Sequence, residues 1–69
     1  MIFQTIGYDF TRRSKRNYTH AVIFKNVSAL NPTIGATWHI SKTLAEKSAK
    51  AFAKRNHLEV IEIVEVVAK

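Results

Sequence analysis

Leu58-Glu59-Val60-Ile61-Glu62-Ile63-Val64-Glu65-Val66-Val67 admits two readings. Glu59, Glu62 and Glu65 recur every three residues, as on a helical stripe, whereas Val60, Ile61, Ile63, Val64, Val66 and Val67 are β-branched, a density that belongs to strands. β-Branched side chains crowd a helix and pack well on a pleated surface, so the segment is expected to be a strand. A bulge near Glu62 then lets Leu58 and Val60 share the core face with Ile63.

Immediately before it, Thr43 to Asn56 carries Leu44, Ala45, Ala49, Phe52 and Ala53 at spacings of three and four, with no proline or glycine to interrupt, and predicts a helix. Two starts are available: Ser41 as N-cap after Ile40, or Thr43 with Glu46 as a Thr-x-x-Glu capping box. Asn56 is a residue type that can end a helix in the left-handed conformation. Earlier still, Ile34, Ala36, Trp38 and Ile40 alternate with Gly35, Thr37 and His39, which predicts a short strand after the Asn31-Pro32 turn signal. Tyr18 to Val27 reads as a strand with both faces partly covered, and Ile2 to Phe10 as a half-buried strand. The expected fold class is α+β: one domain over residues 1–69, in strand, strand, strand, helix, strand order, with a small antiparallel sheet and one helix on one face. Tyr8, Phe10, Phe24 and Trp38 are expected on the helix side against Leu44 and Phe52.

Between the first two strands lies Thr11-Arg12-Arg13-Ser14-Lys15-Arg16-Asn17, with four fixed positive charges and nothing apolar to bury. Ionised side chains are too costly to desolvate unpaired, so this segment is expected to project into water as a loop and meet anionic groups. On the helix, Lys47, Lys50 and Lys54 fall within about 60° of one another and opposite Phe52. That stripe reads either as a solvated helix face or as a row of phosphate contacts. Tyr18, beside the basic segment, either stacks on a base or packs in the sheet. The net charge of +6 favours acidic partners and excludes a DNA mimic, which would be strongly acidic.

Catalysis and cofactors are not expected. Cysteine is absent, Asp9 is the only aspartate, and no serine sits in a nucleophile elbow. Glu59, Glu62 and Glu65 read as solvated partners of lysines. His20, His39 and His57 lie on different elements without metal-ligand spacing, so no metal site is expected. No segment approaches about 20 apolar residues and no basic n-region precedes a long apolar run, so a cytoplasmic protein without a membrane partner is expected.

Ser41-Lys42-Thr43-Leu44-Ala45-Glu46-Lys47-Ser48-Ala49 resembles the start of the second helix of double-stranded-RNA-binding domains at Ser41, Lys42, Ala45 and Ala49. That resemblance implies phosphate contacts from the helix start; Thr43 and Glu46 depart from it, and the family's first helix has no counterpart. In layout the whole chain is similar to compact phage-encoded accessory proteins, including anti-CRISPR and other host-takeover inhibitors. The residues themselves point to a binding module whose Arg12, Arg13, Lys15, Arg16, Tyr18, Lys47, Lys50 and Lys54 contact nucleic acid, most simply its backbone. The alternative partner is an acidic site on a host protein, as the layout similarity implies. A third role is structural, with an edge strand pairing to a second copy.

Overall fold

The computed structural model describes residues 1–27, 30 and 32–69. It contains β1 (Ile2–Thr5), β2 (Thr11–Arg13), β3 (His20–Asn26), β4 (Thr33–His39), α1 (Lys42–Ala53) and β5 (Leu58–Ala68). The α+β class is as expected. The strands form one antiparallel sheet in the order β2-β1-β5-β3-β4, so the last strand in sequence lies at its centre. Ser28, Ala29 and Asn31, on which the turn signal before β4 partly rests, lie outside the described residues.

The segment from Leu58 is a strand, and the conflict between its two periodicities has a physical origin. Phe24 pairs with Val60 while Ile23 pairs with Glu62, so Ile61 is the extra residue of a bulge. Directly opposed residues share a face, which places Leu58, Val60 and Ile63 together with Asn26, Phe24 and Val22. The bulge also keeps Glu59 and Glu62 on one face despite their odd spacing, and Glu65, beyond it, falls on the other.

The first strand is shorter than its pattern suggests. It stops at Thr5 because Gly7 takes φ 86°, a left-handed conformation suited to glycine, and the chain turns back. Thr5 closes this turn. Its backbone N–H donates to the Phe10 carbonyl at 3.1 Å and its buried hydroxyl donates to the Tyr8 carbonyl at 3.2 Å. Thr11, Arg12 and Arg13 then pair with Gln4, Phe3 and Ile2, so the beginning of the basic segment is an edge strand rather than part of a loop. All three residues are exposed, which is why charge is tolerated there.

The helix begins at Ser41, whose extended backbone and hydroxyl, accepting from the Leu44 N–H at 3.2 Å, make it the N-cap. Thr43 is therefore inside the helix. The far end closes with a tight turn, the Arg55 N–H donating to the Phe52 carbonyl at 3.0 Å; Asn56 does not adopt positive φ. Helix α1 packs on β5, β3 and, less extensively, β4.

The aromatic residues divide differently from expectation. Phe24 lies on the helix side, with its ring 5.4 Å from that of Phe52. Trp38 pairs with Ala21 and so points to the far face, where Tyr8 and Phe10 also pack against the cluster of Phe3, Tyr18, Ala21, Ile23, Val64 and Val66. The helix side of β4 instead presents Gly35, Thr37 and His39. Gly35 makes room for Phe24: a Cβ there would stand 2.8 Å from Phe24 Cζ, so the ring occupies the space of the missing side chain. The residue that the helix buries completely is Ala45, and Leu44, expected in the core, is 43% exposed.

Candidate anionic-partner interface

Arg12, Arg13, Lys15 and Arg16 are all exposed, on β2 and the turn that follows it. Pairing with β1 alternates the two arginines across the sheet edge. Arg12 opposes Phe3 and extends over the far face, its guanidinium 5.6 Å from the centre of the Tyr18 ring; Arg13 opposes Ile2 and falls on the helix side. The following turn is tied to the sheet, because the Ser14 N–H donates to the Met1 carbonyl at 3.0 Å and the Arg16 N–H donates to Ser14 Oγ at 3.0 Å. The edge therefore holds its cations on a hydrogen-bonded scaffold.

Tyr18 does not join this surface as a stacking platform. Its ring is buried, edge-on to Phe3 at 5.4 Å and tilted against Trp38 at 6.0 Å, and the guanidinium of Arg12 covers part of what remains. It supports Arg12 by a cation–π contact and leaves no face for a base.

Lys47, Lys50 and Lys54 are exposed on the outer side of the helix, opposite the residues that face the sheet. They do not extend the β2 surface. Strand β1 separates β2 from β5, where the helix footprint begins, and the lysines point away from the sheet. Arg55, whose guanidinium lies 5.9 Å from the Phe52 ring centre, adds a cation at the helix end. Its spacing of three from Phe52 was the available signal for that contact.

The sheet also brings together residues that sequence spacing kept apart. His20 and His39 are directly opposed on β3 and β4, with Glu65 opposite His20 on its other side, all on the helix-side face. The rings are engaged separately, His20 Nδ1 with Thr19 Oγ1 at 2.8 Å and His39 Nε2 with Thr37 Oγ1 at 2.9 Å. Partial burial holds the His39 imidazole below its usual pKa. Among the described residues no group of three or more His, Asp or Glu side chains converges as a metal site. On the far face, the Tyr8 hydroxyl donates to Glu62 Oε2 at 2.6 Å, and that bond raises the phenol pKa because ionisation would set anion against anion. Glu62 is thus occupied by a tyrosine rather than a lysine.

Among the described residues no helix is long and apolar enough to cross a membrane. No known protein family, curated protein or solved structure matches the chain.

Proposed function

We propose that this protein is a non-enzymatic binding module whose basic β2 edge and adjoining turn contact an anionic partner, most simply a nucleic-acid backbone. The observation that carries the reading is the presentation of Arg12 and Arg13 on opposite sides of one hydrogen-bonded sheet edge, with Lys15 and Arg16 exposed on the turn that follows. Holding cations on a preformed scaffold reduces the ordering cost of binding, and guanidinium groups match phosphate oxygens two at a time. With Tyr18 buried, recognition falls on the backbone rather than the bases, so little sequence preference is expected. The helix stripe is a separate patch that adds long-range attraction.

Affinity for duplex DNA or RNA should fall steeply with salt, by a log–log slope of roughly −0.9 per contacted phosphate, and substituting Arg12, Arg13, Lys15 and Arg16 together by alanine should flatten that slope. Binding measured by fluorescence anisotropy across a salt series decides it. If nucleic acid is not retained at low ionic strength, but a specific acidic protein is captured from nuclease-treated lysate and lost in the four-alanine variant, the partner is a protein. That outcome fits the phage-type accessory role.

A further inference from the structure

The two edges of the sheet are guarded differently. Strand β2 is three residues long and carries two arginines. Strand β4, Thr33-Ile34-Gly35-Ala36-Thr37-Trp38-His39, contains no Lys, Arg, Asp, Glu or Pro, and it pairs with β3 over all seven residues without a register break. A long, regular, uncharged edge is a template for another strand. The helix lies mainly over β5 and β3, and among the described residues no strand pairs with the outer side of β4.

We propose that β4 is a self-pairing edge, through which two copies of this chain join antiparallel about a two-fold axis at Ala36 and continue the sheet from five strands to ten. The residues themselves select a second copy as the occupant. In this register Ala36 meets Ala36, Gly35 meets Thr37, Thr33 meets His39, and Ile34 of one copy opposes Trp38 of the other. Ile34 and Trp38 both lie on the far face, where Ile34 is 48% exposed and Trp38 half-buried, so each Ile34–Trp38 pair covers apolar surface that the isolated chain leaves in water. Opposed residues are an even number of positions apart, so outward-facing backbone groups meet outward-facing ones. No fixed charge opposes another across the new ladder, which matters for two chains of net charge +6. A register centred on Gly35 would instead bring Pro32 into the ladder against Trp38.

The pairing is independent of the proposed binding activity, but it has a consequence for it. Continuing a sheet antiparallel keeps equivalent faces together, so both helices lie on one side. The two basic β2 edges then stand at opposite ends, nine strand spacings or at most about 43 Å apart.

Sedimentation equilibrium on the nuclease-treated full chain, in about 0.3 M salt to suppress charge repulsion, tests the proposal. The mass should rise with concentration from 7.9 kDa towards twice that value. Ile34→Lys, at an exposed position, should remain monomeric and melt where the parent does when dilute enough to be monomeric. Because the chain has no cysteine, single substitutions report on register. Ala36→Cys should oxidise readily to a linked dimer, whereas in Ile34→Cys the two thiols stand about 13 Å apart along the strands and should link only at the collisional rate. A parent that stays at 7.9 kDa throughout, or a dimer untouched by Ile34→Lys with both cysteine variants linking equally, overturns the proposal. So does a monomer that takes up an unrelated extended peptide on β4 in place of a second copy.

Discussion

The two faces of the sheet are closed by different means. On one, a helix sets Phe52 against Phe24, with a fully buried alanine, Ala45, on its sheet-facing side and one aromatic pair for volume. On the other there is no helix among the described residues. Side chains of the turn after β1 and of the segment before β3 fold over the strands, so that Tyr8, Phe10 and Tyr18 join Phe3, Ile23, Val64, Val66 and Trp38. The sheet has two apolar faces and the helix covers one, and here aromatic side chains on irregular segments take the place of a second layer.

The comparison implies that the far face carries more of the stability. Phe3 is 3% exposed and meets Tyr18 edge-on, so Phe3→Ala should cost about 3–5 kcal/mol, most of the margin of a small domain. Phe52 is only half-buried, and Phe52→Ala should cost less, about 2 kcal/mol. Urea denaturation of both variants ranks them; a larger loss at Phe52 would show that the helix layer dominates.

A smaller effect sharpens the account of the helix side. Gly35→Ala would drive a methyl into the Phe24 ring, which Phe52 confines, and should destabilise by about 1–2 kcal/mol. Combining it with Phe24→Leu should recover part of that loss, because the shorter side chain vacates the space. Without such recovery, the ring is not what requires glycine.

The smallest expected effect is acid sensitivity of the helix side. His39 titrates below its usual pKa when folded, so the unfolded chain binds the proton more readily, and stability present above the unfolded pKa is lost as pH falls below it. Thr37 Oγ1 contacts the ring, and His20, with Glu65 beyond it, faces the same side. The denaturation midpoint of the parent should drop more between about pH 7.5 and pH 5.5 than that of His39→Gln. Equal drops would assign the acid sensitivity to other groups.

How much of this was legible in the residues differs by element. The strand from Leu58 could be read from its β-branched content, and the bulge from the conflict between that content and the glutamate spacing. The helix could be read from its period. Strand β2 could not: Thr11-Arg12-Arg13 has no apolar alternation, and its structure comes from backbone pairing with β1, to which side-chain patterns are blind. The same limit applied to Tyr18, where the residue type suits either a stacking platform or a core ring.

Local preference and periodicity, which are properties of neighbouring residues, determined the α+β class, the helix and most of its limits, four of the strands though not where the first one ends, and the clustering of positive charge at residues 12–16. Only the tertiary structure decided which sheet face the helix covers, where Trp38 points, that Tyr18 is buried beneath Arg12, and that the basic edge and the lysine stripe are separate. Those outcomes depend on strand order. Strand order is set by pairings between residues far apart in the chain, and no local pattern records them.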